Sequence, residues 1–246
     1  MIWLQPIFSL ASGEIIAFEA LVRWQHPTNG LVLPGEFIGI AEESDLITQI
    51  DSRVLADAIR QMSEWQKLIE RERELAVSVN ASARQIRSKG LPVKVRGLLD
   101  GFEVDPRRLA LEITESVLVA GTSTVKNVLN ELHDFGVRLA LDDFGTGFSS
   151  LIYLNEFPFD TIKIERSFIE NLGAGERRGS AIAEAIISIG NSLSMTVVAE
   201  AVSTETQLQM VRDLNCDLAQ GFLMSRPVTA DLATRMLQDP GRSLTL

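Results

Sequence analysis

Six oxygen-bearing side chains stand at or near the ends of short apolar runs that are spaced along the sequence. An ionised carboxylate inside a protein core is costly unless it is paired or binds a cation. The set contains no His or Cys, and oxygen donors favour Mg²⁺ or Mn²⁺ over zinc. The pattern therefore predicts a site for one of these two cations, where the apolar runs end together. The six residues are Glu19, Asn80, Glu112, Asp142, Asp143 and Glu200.

Residue alternation predicts an inward position for these groups. Side chains on a strand alternate between its two faces. In segment 18–24, Glu19, Leu21 and Arg23 share one face. Phe18, Ala20 and Val22 share the other. A later run places Lys163 and Glu165 on one face, opposite two isoleucines. We expect the apolar faces to pack against helices and the polar faces to point inward.

Eight short apolar runs alternate with amphipathic stretches, which indicates repeated β/α units and a mostly parallel sheet. The predicted strands end near Leu10, Val22, Asn80, Thr114, Asp143, Glu165, Glu200 and Phe222. The helix-like stretches between them include residues 34–46, 51–70, 125–135, 180–193, 205–214 and 230–237. This order predicts a TIM-like (β/α)8 barrel, a fold whose active sites lie at the C-terminal ends of the strands.

The connection between the first two predicted strands breaks this pattern. Only Ala11-Ser12-Gly13 separates them, which is too short for the crossover that parallel strands need. We therefore expect an α/β barrel with an antiparallel first strand. No linker rich in Pro, Gly and Ser divides the chain, so we expect a single domain over residues 1–246.

The composition restricts the class of function. With 46% hydrophobic and 23% charged residues, the chain has the composition of a domain with a buried core. The formal net charge of −10 argues against binding a nucleic-acid polymer, because phosphate backbones are bound by excess Lys and Arg. The one cysteine, Cys216, cannot form an internal disulfide, and no apolar run approaches the roughly 20 residues that span a bilayer. We expect a cytoplasmic domain. This expectation is compatible with a membrane anchor elsewhere in the full-length protein.

Each feature alone also has a simpler interpretation. The Asp-Asp pair at residues 142–143 precedes Phe-Gly and is compatible with the start of a turn. Lys163 can pair with Glu165, and Arg23 can pair with Glu19. An inward lysine on a barrel strand is also compatible with a Schiff-base aldolase. Six oxygen donors on five predicted strands are harder to attribute to turns and surface pairs, and they favour the cation site.

A set of short motifs follows in order along the chain. It begins with Leu4-Gln5-Pro6-Ile7 and Phe18-Glu19-Ala20-Leu21-Val22-Arg23-Trp24. It continues with His26-Pro27, Pro34 through Phe37-Ile38, Ala41-Glu42-Glu43, Val79-Asn80-Ala81-Ser82, Leu111-Glu112-Ile113-Thr114-Glu115-Ser116, segment 141–150, Lys163-Ile164, Ala199-Glu200, Gln220-Gly221-Phe222 and Arg226-Pro227. The ordered set covers essentially the whole chain and resembles the EAL-domain family of cyclic di-GMP phosphodiesterases.

This resemblance implies a role for each matched residue. It implies hydrolysis of cyclic di-GMP to linear pGpG with two Mg²⁺ or Mn²⁺ ions, and a homodimer. The implied metal ligands are Glu19, Asn80, Glu112, Asp142, Asp143 and Glu200. The implied catalytic residues are Lys163, Glu200 and Glu115. Lys163 holds or polarises the attacking water. Glu115 anchors loop 143–150, which helps to form the site and the dimer contact. The implied substrate-binding residues are Gln5, Arg23, Gln220 and Arg226, with Arg23 on a phosphate and Gln220 supporting the metal-water network.

The chain departs from the family pattern at two places. Glu165 stands where the family usually has Asp, and Glu200-Ala201-Val202-Ser203 replaces a segment resembling Glu-Gly-Val-Glu. Neither change removes an implied metal ligand, so we expect hydrolysis at a rate that these changes can lower. The alternatives are a receptor that binds cyclic di-GMP without cleaving it, and a dimerisation scaffold. We also expect covalently linked sensory or GGDEF-type domains in the full-length protein, outside this chain.

Overall fold

The structure is a computed structural model that describes residues 1–69, 75–119, 123–145, 150–172 and 177–238. The strands are β1 Ile2–Ser9, β2 Ile15–Val22, β3 Trp24–His26, β4 Gly30–Val32, β5 Ala76–Asn80, β6 Leu109–Thr114, β7 Arg138–Phe144, β8 Thr161–Ile164, β9 Thr196–Ala199 and β10 Leu218–Ala219. The helices are α1 Pro34–Glu42, α2 Leu46–Gln66, α3 Ala83–Ile86, α4 Leu91–Phe102, α5 Glu115–Val119, α6 Ser123–Asp134, α7 Ser150–Glu156, α8 Arg166–Glu170, α9 Arg177–Ser192, α10 Glu205–Asp213 and α11 Ala230–Gln238. A 3₁₀ turn covers Pro106–Arg108.

Eight strands close into a barrel in the order β1-β10-β9-β8-β7-β6-β5-β2. Strand β1 is antiparallel to both of its neighbours, β2 and β10, whereas the other pairs are parallel. The predicted antiparallel first strand and the (β/α)8 barrel are therefore confirmed. The short β1–β2 connection requires antiparallel strands, because a few residues can close a hairpin but cannot form the crossover between parallel strands.

The outward faces of the strands form the main core with the helices. Helix α2 has apolar residues at helical spacing, including Leu55, Ile59 and Met62, and these are almost fully buried. Its Trp65 ring lies 4.9 Å from the ring of Phe18 on β2, centroid to centroid. Because this packing occupies one face of each strand, alternation forces the polar residues of the strands into the barrel interior.

The structure also differs from the expected elements. Helix α1 ends at Glu42 and α2 begins at Leu46, where the sequence pattern predicts one stretch over 34–46 and the next from 51. The β3–β4 hairpin is an addition that the sequence reasoning did not predict. Strand β8 ends at Ile164, so Glu165 is not part of the inward face. In the described part of the chain, no helix is long and apolar enough to cross a membrane.

Candidate active site at the mouth of the barrel

Four carboxylates surround the ammonium group of Lys163 inside the barrel. Lys163 Nζ lies 2.6 Å from Glu200 Oε1 and 2.7 Å from Glu112 Oε2. It also lies 3.6 Å from Asp142 Oδ1 and 3.8 Å from Glu19 Oε2. These four acids, named here the carboxylate cluster, come from β2, β6, β7 and the residue after β9. Closure of the barrel brings them together, since each lies in the mouth half of its strand or just after it.

The charges of the carboxylate cluster are not balanced. One buried ammonium faces four acids, and Lys163 is only 1% exposed. Burial would lower the pKa of Lys163, but Glu112 and the other acids raise it well above its usual value. The lysine therefore stays charged across the working pH range. A single positive charge cannot neutralise four carboxylates, three of them buried, so the cluster attracts further protons or cations.

The acids respond to this imbalance in different ways. Burial, reinforced by the charge of Glu19, raises the pKa of Glu112 well above its usual value. Burial also raises the pKa of Glu200 to about 8, although Lys163 opposes the shift. Burial would raise the pKa of Glu19 too, but Lys163 and hydrogen bonds from two amides lower it below its usual value. The cluster therefore contains an acid that is held ionised beside acids that favour the protonated form.

Two amide side chains fix the position of Glu19. Asn80 Nδ2 donates a hydrogen bond to Glu19 Oε1 over 3.0 Å, and Gln220 Nε2 donates to Glu19 Oε2 over 2.7 Å. Gln220 is 3% exposed, and its Oε1 has no hydrogen-bond partner among the residues that the structure describes. An unpartnered buried carbonyl oxygen is itself costly. It is suited to accept from a water or to face a cation.

The donor chemistry of this site fits a hard divalent cation. Carboxylate and amide oxygens are the ligands that Mg²⁺ and Mn²⁺ take, and the cluster has an excess of negative charge. Within the described ranges, no group of three or more His, Cys, Asp or Glu side chains has a geometry that could already hold a metal ion. The carboxylates converge on the ammonium of Lys163 instead. A bound cation would therefore share these carboxylates with the lysine.

Asp142 and Asp143 have different surroundings although they are adjacent. Asp142 is buried, and its Oδ1 accepts a hydrogen bond from the backbone N–H of Asp143 over 3.0 Å. Asp143 is exposed at the rim and has a φ of 54°, in the left-handed region. The β7–β8 register shifts between Leu141 and Phe144 at this point. Burial and the neighbouring Asp142 raise the pKa of Asp143. Asp142 lines the cavity at the mouth of the barrel, whereas Asp143 does not.

A cavity of about 290 Å³, named here the mouth cavity, opens above the cluster. Gln5 lines it, and its Nε2 donates a hydrogen bond to the carbonyl of Ser225 over 3.1 Å. Phe222 also lines it and is 55% exposed, with the guanidinium of Arg226 lying 4.4 Å from the ring centroid. Sequence reasoning did not select Phe222 as a site residue, although an aromatic residue near the predicted end of the last strand was a signal for it.

Arg23 occupies a different position from the one that strand alternation predicts. Strand β2 ends at Val22, and Arg23 Nη1 donates a hydrogen bond to the Val22 carbonyl over 2.8 Å. Its guanidinium lies 5.6 Å from the centroid of the Trp3 ring. Arg23 lines an apolar pocket with Trp24 and Phe37 and not the mouth cavity. The Arg23–Glu19 ion pair considered from the sequence is not among the contacts of the described residues.

The two departures from the family pattern have local roles. Glu165 Oε2 accepts a hydrogen bond from the N–H of Ser167 over 2.8 Å, so this carboxylate caps the N-terminus of α8. The expected Lys163–Glu165 pair does not form in the described structure. Ser203 donates from its N–H and its hydroxyl to Gln207 Oε1, over 2.8 and 3.0 Å, at the start of α10.

Glu115 is the first residue of α5 and is 3% exposed. The loop that it is expected to anchor includes residues 146–149, which lie outside the described residues. Its predicted anchoring role and the dimer contact stay predictions.

Comparison with known proteins agrees with this geometry. The EAL domain family model matches residues 1–227. A bifunctional diguanylate cyclase/cyclic di-GMP phosphodiesterase, MucR of Pseudomonas aeruginosa, is 40% identical over 92% of this chain and 33% of its own length. The cyclic di-GMP phosphodiesterase NbdA of the same organism is 43% identical over 91% of this chain and 28% of its own length. The chain spans about a third or less of the length of these relatives.

A solved structure has the same fold over nearly the same length. The structure entitled PaMucR phosphodiesterase, c-di-GMP complex, superposes with a TM-score of 0.90 and 39% sequence identity. The alignment covers 95% of this chain and 93% of that chain. The match of the family model, the barrel with its antiparallel strand and the ordered motifs agree. The chain belongs to the EAL domain family.

Proposed function

We propose that this chain hydrolyses cyclic di-GMP to linear pGpG with the help of two bound Mg²⁺ or Mn²⁺ ions. The observation that carries the proposal is the carboxylate cluster, which places three buried acids and the partly exposed Glu200 around one lysine at the mouth of the barrel. The relatives named as cyclic di-GMP phosphodiesterases support the substrate and the reaction.

The proposed cation ligands are the six oxygen donors predicted from the sequence. They are Glu19, Asn80, Glu112, Asp142, Asp143 and Glu200. When bound, Mg²⁺ or Mn²⁺ would lower the pKa of a water and stabilise negative charge on the phosphate oxygens. The excess of negative charge in the cluster and the unpartnered Gln220 Oε1 support this assignment.

Lys163 would orient the attacking water by donating a hydrogen bond from Nζ. The raised pKa means that it keeps its proton, so it acts as a donor and not as a base. The same shift argues against the Schiff-base aldolase, because a nucleophilic lysine needs a lowered pKa. Glu200 is the acid nearest to Lys163, with 2.6 Å between Oε1 and Nζ, so it would lie beside the water that Lys163 orients.

The mouth cavity would hold the nucleotide. Exposed Phe222 presents a ring face on which a guanine base can stack, with Arg226 near the same ring. Gln5 lines the same cavity and is proposed to contact the substrate. Arg23 remains a proposed phosphate contact, which requires its guanidinium to leave the position beside Trp3.

Product analysis tests this function directly. The purified chain is incubated with cyclic di-GMP and Mg²⁺ or Mn²⁺, and the products are resolved by chromatography. We expect pGpG, no product with EDTA, and at least about a hundredfold lower rate for Glu112→Gln. Arg87→Gln, on an exposed residue far along the chain from the cluster, is the matched control and should keep the wild-type rate. Tight binding with no pGpG over hours would show a receptor in place of an enzyme.

The assembly and the cellular context are part of the same proposal. We propose a homodimer, with loop 143–150 and Glu115 near the contact, and a cytoplasmic location. We further propose that sensory or GGDEF-type domains are covalently linked in the full-length protein, as the greater length of the relatives suggests. Sedimentation of the chain at several concentrations tests the dimer, and a single monomeric species throughout would contradict it.

A further inference from the structure

The lower half of the barrel interior is lined by small side chains. In (β/α)8 barrels the interior layers are dominated by bulky branched residues, which fill the space. Here the positions below the carboxylate cluster carry alanine, serine or threonine on six strands. These residues are Ala17, Ala76, Ser78, Ala110, Ala140, Thr161 and Thr196. The result is a cavity of about 710 Å³, named here the lower cavity, which opens at the N-terminal end of the barrel.

The lower cavity is separate from the mouth cavity. Glu112 and Lys163 line its inner end, and their ion pair of 2.7 Å stands between the two spaces. Exposed residues stand at its open end, among them Arg138 and Asn215. A molecule can therefore enter from the side of the barrel opposite to the proposed nucleotide site.

Buried polar donors in this cavity have no partners. Ser78 is 4% exposed and its Oγ has no hydrogen-bond partner among the described residues. Arg212 of α10 also lines the cavity, and both its Nε and its Nη2 are shielded from solvent without a partner in the described ranges. A buried guanidinium donor without an acceptor costs free energy. A ligand that brings an acceptor would recover it.

The charges at the open end select the type of ligand. Lys163 and Glu112 pair with each other at the inner end. At the open end, Arg138 and Arg212 supply two positive charges and Asp217 supplies one negative charge. Asp217 Oδ2 already accepts a hydrogen bond from the backbone N–H of Val197 over 2.8 Å. An anion therefore gains attraction and two new hydrogen bonds, a cation is repelled, and a neutral molecule leaves the charges of the arginines uncompensated.

The walls of the cavity select the rest of the ligand. Apolar side chains from Ile7, Leu10, Val198 and Leu218 line it beside the alanines. A space of this size with mostly apolar walls and a few convergent polar groups is typical of a small-molecule site. We propose that the lower cavity binds a small carboxylic acid with an aliphatic body, its carboxylate on Arg212 and Arg138 and its chain among the apolar walls.

Calorimetric titration of the 246-residue chain with octanoate, below its micelle-forming concentration, tests this site. Octylamine and octanol are titrated in parallel as probes of the same length with a cation or no charge. We expect saturable binding of octanoate and at least about tenfold weaker binding of the other two, because they lack the charged acceptor. Equal binding of all three would overturn the carboxylate assignment, and absence of octanoate binding would overturn the site.

Three variants locate the binding. Arg212→Gln removes the buried donors and should weaken octanoate binding by at least about tenfold, whereas the matched Arg87→Gln should leave it unchanged. Ala76→Leu fills the cavity and should abolish binding, with circular dichroism to check folding. If that variant does not fold, Arg138→Gln supplies the second test, with an expected loss of affinity. Wild-type affinity in Arg212→Gln and Arg138→Gln would place the octanoate elsewhere and overturn the proposal.

Discussion

Gln220 Nε2 donates a hydrogen bond to Glu19 Oε2 over 2.7 Å, which links residues that are 201 positions apart in sequence. The contact depends on β1, which joins β2 to β10 and so closes the barrel. It holds one acid of the carboxylate cluster in the ionised form while leaving Gln220 Oε1 without a partner in the described structure.

Replacing Gln220 with Met should weaken cation binding. Glu19 would lose a donor, its pKa would rise, and the acid would hold a cation less well. Loss of a group that orients a metal ligand typically costs about 10–100-fold in metal affinity or activity. The measurement is the concentration of Mn²⁺ that gives half-maximal phosphodiesterase rate. Gln209→Met, on the exposed face of α10, is the control, and an equal effect of both variants would contradict the role of Gln220.

Replacing Ala201 with Gly should stabilise the protein. Ala201 follows Glu200 and has a φ of 53°, a conformation in which a Cβ atom is unfavourable. Relief of this strain exceeds the entropic cost of glycine, so we expect a gain of about 0.5–1 kcal/mol in the free energy of unfolding. Urea denaturation measures it. Ala185→Gly, in the middle of α9 on its exposed side, should instead lose about 1 kcal/mol. A loss in both variants would show that Ala201 is not strained.

The pKa of Glu200 predicts a pH dependence of stability in the metal-free protein. Its folded value of about 8 lies above the unfolded value of 4.5, so the folded state binds this proton more tightly. The favourable contribution is present below pH 4.5 and is lost as the pH rises toward 8. Glu200→Gln imitates the protonated form, so its stability relative to the wild type should increase from pH 5 to pH 8.

The size of this change should be on the order of 1–3 kcal/mol, because neighbouring charges share the titration. Denaturant unfolding in EDTA at pH 5, 6, 7 and 8 measures it. Glu184→Gln, on an exposed acid of α9, is the control for a simple change of net charge. If the difference in the free energy of unfolding between the wild type and Glu200→Gln stays constant with pH, the raised pKa of Glu200 is contradicted.

Replacing Phe222 with Ala should weaken substrate binding without affecting the fold. Loss of base stacking typically costs about 1–3 kcal/mol, which corresponds to roughly a 5–150-fold rise in KM. The ring is more than half exposed, so the melting temperature should change little. Phe222→Trp keeps a stacking face and should retain wild-type KM within a few-fold. A KM that is unchanged in Phe222→Ala would exclude this residue from the nucleotide contact.

Local patterns in the sequence were enough for much of the barrel. The short Ala11-Ser12-Gly13 connection required the antiparallel first strand, since a crossover does not fit in three residues. Alternation with period two also placed Glu19, Glu112 and Asp142 on inward faces. The apolar residues of these strands pack outward against helices, so the residues of the opposite face point into the barrel. These are properties of neighbouring residues, which a sequence contains directly.

Contacts between distant strands were decided only by the tertiary structure. The sequence allowed Lys163 to pair with Glu165, but β8 ends before Glu165, whose carboxylate caps α8. Lys163 instead meets acids from four other segments, because closure of the barrel turns the inward faces of all these strands toward one another. The lower cavity arises in the same way, since one alanine on a strand leaves no space until six strands bring their small residues together.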